Sequence, residues 1–152
     1  MMTFPASDAG VPSAPTLKSQ ADVELMWRVL MTPLGWRERS LWFVLVAPED
    51  TPVPHVYEIA ELPDEIDPDG HAAAAELWRD LLAEVLPGGR IALLLSRPGS
   101  GGPDRADREI AGGTYAACRA SGVPLEVVHL ATDDDIVPLA ADAVLASERP
   151  AM

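Results

Sequence analysis

"RIALLLSRPGSGGPDRADREIAGGTYAACRAS", residues 90–121, decides how the chain is built. Residues 90–95 form a short apolar run of strand length, the pattern of a strand buried on both faces. Pro98, Gly99, Gly101, Gly102 and Pro103 then supply turn chemistry. Over 107–121, Ile110, Thr114, Ala117 and Cys118 recur at helical spacing. Gly112 and Gly113 weaken that helix by roughly 1 kcal/mol each relative to alanine. Gly122 suits its C-terminal cap. A buried strand feeding a helix is the repeating unit of a layered α/β domain.

Working outward, residues 21–30 place Val23, Met26, Trp27 and Leu30 on one helical face, and Pro33 and Gly35 end the helix. Residues 40–48 read as a central buried strand. Residues 53–62 read as the second arm of a hairpin, with "APEDTP" (47–52) as its turn and Pro52 and Pro54 pushing its start toward an edge. Asp67 and Pro68 form an N-cap followed by a first-turn proline. The helix over 71–86 carries Ala74, Leu77, Trp78, Leu81, Leu82 and Val85 as one apolar stripe, and Pro87-Gly88-Gly89 stops it. Residues 123–131 and 136–140 read as strands around a "TDDD" turn, and 141–147 as a fraying amphipathic end. The order α-β-β-α-β-α-β-β predicts one α/β domain over 19–148, a mixed β-sheet flanked by α-helices. Residues 1–18, with Pro5, Pro12 and Pro15 among small polar residues, are predicted to be a flexible tail.

Composition narrows the function classes. The 152 residues suit a single domain with a real core. Twenty-four acidic residues stand against 11 basic ones, for a net charge of −13. The only lysine is Lys18 and the arginines are scattered, so binding of nucleic acid by the chain on its own is not expected. The longest clean apolar run, 41–47, is far short of the about 18 residues of a membrane span. The N-terminus has neither the basic start nor the apolar core of a signal peptide. No membrane association and a cytoplasmic location are therefore expected. Low lysine beside abundant alanine, proline and arginine matches the usage of GC-rich bacterial genomes. The single cysteine, Cys118, excludes an internal disulfide and a multi-cysteine zinc knuckle.

Several chemistries can be weighed at the 96–109 turn. The G-x-G-x-x-G frame from Gly99 fails at Asp104, and no lysine follows the last glycine as a phosphate loop requires. Asp104 and Asp107 would also repel an anion. His55, His71 and His129 have no spacing that converges on one metal ion. A Ser96–His129–Asp triad is formally available, but nothing like G-x-S-x-G surrounds Ser96. Cys118 and Trp27, Trp36, Trp42 and Trp78 read as packing residues.

Segment 93–131 resembles the C-terminal domain of RadC-type proteins, a branch of the JAMM/MPN metalloprotease-like fold. That family carries a strand ending in His-x-His-Pro, a Ser/Gly/Pro-rich loop, and Ser-x-x-Asp entering a helix. Pro98 matches the proline, and Gly99 to Pro103 match the loop, one residue shorter. Asp104 stands for the serine and Asp107 for the aspartate ligand. "VHLATDDDIVPL" is similar to the later strand, with His129 kept and Val128 replacing an aspartate. "WRERSLWFVLVAP" is similar to the first strand, with Glu38 and Arg39 near its Glu-Arg-Glu. The match spans about residues 36–140, with strand and helix order agreeing.

The resemblance implies a deaminase-like layered sandwich and a zinc site, and the sequence departs from it at the ligands. Leu95 and Arg97 stand where the two histidines belong. Leucine offers no donor atom and arginine is permanently cationic. The chain is thus expected to be a metal-free, cofactor-free and non-catalytic relative, a scaffold or interaction module with an unknown protein partner or itself. The alternatives are a small polar-ligand protein or enzyme using Arg97 with Asp104 and Asp107 in the old cleft, and a metal-dependent hydrolase with other ligands. Candidate ligand-binding residues are Arg97, Asp104, Asp107, Glu38, Ser96 and His129; none is expected to be catalytic or to hold a metal. Arg97 either pairs with Asp107, with Asp104 or Glu38 as further partners, or points to solvent. The module reading expects an exposed apolar patch around Trp36 or Trp42. The small-ligand reading expects a pocket lined by Arg97 and carboxylates.

Overall fold

The structure, a computed structural model, describes residues 2–3 and 16–147, with side chains from 16 to 144. Its elements are β1 (Met2–Thr3), α1 (Gln20–Met31), β2 (Ser40–Val46), β3 (His55–Ile59), α2 (Pro68–Val85), β4 (Arg90–Ser96), α3 (Arg105–Ser121), β5 (Val128–Ala131), β6 (Ile136–Leu139) and α4 (Ala141–Ser147). Most of the expected tail, residues 4–15, lies outside the described residues. At its end Leu17 is buried, and its N–H donates to the Asp50 carbonyl at 2.7 Å.

The chain is a single α/β domain with a mixed sheet. Strand order is β1-β3-β2-β4-β5-β6. β2 pairs antiparallel with β3 and β4, β4 runs parallel to β5, and β5 pairs antiparallel with β6. All seven residues of β2 are buried, as are the last six of β4, because helices cover both faces. Alternation along the strands divides the core. Leu41, Phe43, Leu45, Leu93 and Leu95 face α2 and α3 with Trp78, Ile110 and Cys118. Trp42, Val44, Ala92, Leu94 and Ala131 face α1 with Val23, Met26 and Trp27. No helix among the described residues is long and apolar enough to cross a membrane.

Three expectations need correction, the first being the strand expected over 123–131, which is confined to Val128–Ala131. The buried stripe of α2 is Ala75, Trp78 and Leu82, whereas Leu77 and Val85 are 54% and 55% exposed. The Trp78 indole meets Phe43 edge-on at 5.7 Å and fixes which face turns inward, so the flanks of the wide stripe are left in solvent. The second hairpin arm is also shorter than 53–62, since Pro52 and Pro54 confine the ladder to His55–Ile59.

The end of the sheet is tied to α3 by Tyr115. Its hydroxyl accepts from the Val128 N–H and donates to the Leu139 carbonyl, both at 2.7 Å. Burial pushes this phenol up to about 12, so it remains a donor through the physiological range. Tyr115→Phe strands both backbone groups, and urea denaturation should show a loss of about 1–3 kcal/mol.

Candidate functional site

The turn after β4 is built around one cation. β4 pairs with β2 in the register Ser40↔Ser96, and one step further along it sets Arg39 opposite Arg97. Both side chains continue the alternation of Leu41 and Leu95 and so lie on the α2/α3 face. α3 begins there with a capping box. The Asp104 side chain accepts from the Asp107 N–H, and the Asp107 side chain accepts from the Asp104 N–H, both at 2.8 Å.

Asp107 is therefore aimed at the two arginines. It has no exposed surface. Arg97 Nε reaches both its oxygens, at 2.9 and 3.1 Å, and Arg39 Nη1 donates at 2.6 Å. With the cap N–H, every face of the carboxylate is engaged. Asp104 lies further out, 3.6 Å from Arg97 and 3.9 Å from Arg39. Burial pushes Asp104 up, but the Asp107 N–H, the Asp107 side chain and the two guanidinium groups outweigh it and hold the carboxyl below its usual range.

The glycine-rich loop closes over the same cation. Arg97 Nη1 donates to the Pro98 carbonyl at 3.1 Å and Nη2 to the Gly102 carbonyl at 3.0 Å. Gly99 and Gly101 have φ of +100° and +90°, a region side chains rarely enter. A Cβ on Gly99 would also press to 3.2 Å of Arg97. Because carbonyls at both ends of the loop turn onto Arg97, it is a cation wrap and not a phosphate cradle. Asp133 anchors it from outside, accepting from the Gly99 N–H at 2.8 Å and the Trp36 N–H at 3.2 Å.

The other candidate residues lie apart from this cluster. Glu38 is exposed and accepts from the Glu61 N–H. Arg39, its neighbour, takes the inward position because strand alternation turns it to the Leu41 face. Ser96 and His129 are on the opposite, α1 side of the sheet. Ser96 Oγ accepts from Trp42 Nε1 at 2.9 Å. His129 Nδ1 contacts the Val127 carbonyl, and its Nε2 is buried without a partner. No hydrogen bond joins Ser96 and His129 among the described residues, so there is no triad. The expected apolar patch around Trp36 and Trp42 is also absent. Trp42 is buried, and Trp36 is half-buried, 6.1 Å from Trp42 between ring centres and bonded to the Thr132 carbonyl.

Two cavities lie nearby, and neither is lined by Arg97. One, about 930 Å³, runs between the first turn of α2 and the stretch of α3 from Arg105 to Ala117. The other, about 430 Å³, continues it to the acidic loop before α2. No cluster of three or more His, Cys, Asp or Glu among the described residues is arranged to hold a metal ion. The chain matches no protein-family model and no curated protein.

Two measurements test this geometry. Asp107→Asn leaves two inward arginines with only the more distant Asp104 and Asp64 as counter-charges and should lose about 3 kcal/mol in urea titration, against about 1 kcal/mol for the cap variant Asp104→Ala. His129 is held below its ordinary 6.5 by burial. Above pH 6.5 it is neutral in both states and contributes no pH dependence. Below it the unfolded chain takes up a proton that the folded chain resists, so stability should fall as pH drops. In His129→Leu that slope should flatten.

Proposed function

We propose that the chain is a RadC-like domain in which an arginine–carboxylate staple replaces the metal, and that it works as a protein-interaction or scaffold module and not as a hydrolase. The observation that carries this reading is Asp107, fully buried and held by Arg97 and Arg39. Two further features support it. Leu95 and Arg97, in the two histidine positions, share the face of β4 that meets α3. Asp107, in the aspartate position, touches one of them.

The residues present do not fit zinc. Leu95 is a core side chain, and Arg97 places a permanent positive charge where the ion would sit. Asp107 has spent its lone pairs on N–H donors. Zinc needs neutral imidazole, thiolate or free carboxylate ligands.

The small-ligand reading of the same cleft loses its support, because Arg97 is 8% exposed and its Nε, Nη1 and Nη2 each already donate, to Asp107 and to two carbonyls. Elemental analysis of purified protein should find no stoichiometric zinc. Neither added zinc nor a chelator should move the thermal midpoint. One zinc per chain, or a midpoint that falls in chelator, overturns the reading.

A further inference from the structure

The two cavities share Ile66, His71 and Glu109 and form one continuous groove between the first turn of α2 and the stretch of α3 from Arg105 to Ala117. Its floor is made of small or apolar residues: Ile66, Ala72, Gly113, Ala116 and Ala117. His71 lies flat against α3, where a Cβ on Gly113 would come within 2.3 Å of its Nε2. Glycine at 113 is thus what lets the imidazole enter the groove. The ring makes no hydrogen bond among the described residues. Burial lowers its affinity for a proton, so near neutrality it offers one donor and one acceptor.

The rim charge is one-sided. Asp64, Glu65, Asp67 and Glu109 line the groove against Arg105 and Arg108. Both guanidinium groups are occupied, Arg105 by Glu109 at 2.8 Å and Arg108 by the Pro103 carbonyl at 2.8 Å. Asp64 leans on Arg39 and Asp67 caps α2. Glu65 has no ion-pair or hydrogen-bond partner among the described residues. The surplus is negative at the groove and −13 over the chain, which steers cations toward it.

We propose that this groove docks a short basic segment of a partner protein, with a lysine or arginine held at Glu65 and an apolar neighbour laid on the Gly113–Ala117 floor. The inference rests on the reading of the chain as an interaction module and names the chemistry of its partner. Opposite charge at the rim fixes register, and burial of the apolar neighbour supplies affinity.

The probe is a capped peptide, acetyl-Ala-Leu-Arg-Ala-Leu-Arg-Ala-amide, titrated into the full-length, isotope-labelled chain, with a second peptide carrying Glu for Arg. Saturable NMR shifts are expected at His71, Gly113 and Ala116 for the arginine peptide alone. Glu65→Gln should weaken binding by about tenfold. Ala116→Leu, which fills the groove from its exposed side, should abolish binding with an unchanged thermal midpoint. Three results overturn the proposal: equal binding of the glutamate peptide, shifts confined elsewhere, or no shift up to about 1 mM peptide. Such a failure in zinc-free protein removes this inference alone, whereas stoichiometric zinc removes the functional reading beneath it.

Discussion

The carboxylate of Asp107 is the point on which the centre of the fold depends. It ends the β2–β4 ladder by engaging Arg39 and Arg97, and it starts α3 by completing a capping box. A buried ion pair of this kind is weak grounds for net stability, because desolvating three charges offsets much of their attraction. Its value is in placement. Only one docking of α3 satisfies two guanidinium groups, and that docking brings Ile110 and Cys118 onto the sheet. The glycine loop follows from the same requirement. With Arg97 facing inward, its remaining N–H groups need acceptors, and the Pro98 and Gly102 carbonyls, beside the positive-φ Gly99 and Gly101, are the ones within reach.

Much of this was legible in the sequence, for reasons tied to particular residues. The unbroken apolar runs at 41–47 and 91–95 require cover on both faces, and that settles a three-layer α/β domain. Asp67-Pro68 announces a helix start through its own capping chemistry, whereas α3, expected over 107–121, starts two residues earlier because Asp104 caps it. The pairing of Arg97 with Asp107 is readable as one of two options, and the structure selects it. Arg39 is harder to read. It sits in a charged run, "RERS", and only the antiparallel register with β4 distinguishes it from Glu38. Glu38 was the wrong partner by one residue, and in a strand one residue is a change of face.

Other features had no local signal. Leu77 belongs to a clean apolar stripe, yet Trp78 dictates the angle of α2 and leaves Leu77 outside. Ser96 and His129 lie near Arg97 along the ladder but on the far side of the sheet, so proximity in sequence and topology did not make a site. His71 against Gly113 joins two helices through a missing side chain, and a glycine in a helix reads as weakness until its neighbour is known.

An arginine in the place proposed for a metal changes what the fold can do. A bound ion is exchangeable, attracts water as a ligand and lowers its pKa, which is the origin of its chemistry. A guanidinium is covalently fixed, always charged and donates only N–H groups. It can position the Asp107 carboxylate and the loop carbonyls, but it has no open coordination position. Each of the three Arg97 nitrogens already donates to an acceptor of the chain itself. The centre is thereby closed, and polar recognition moves outward to groups whose hydrogen-bonding capacity is unspent. Along the neighbouring groove those groups are the His71 imidazole and the Glu65 carboxylate. The same helix start that buries Asp107 turns Arg105, Arg108 and Glu109 outward to form one wall of that groove. The internal staple and the external surface are two faces of a single turn of α3.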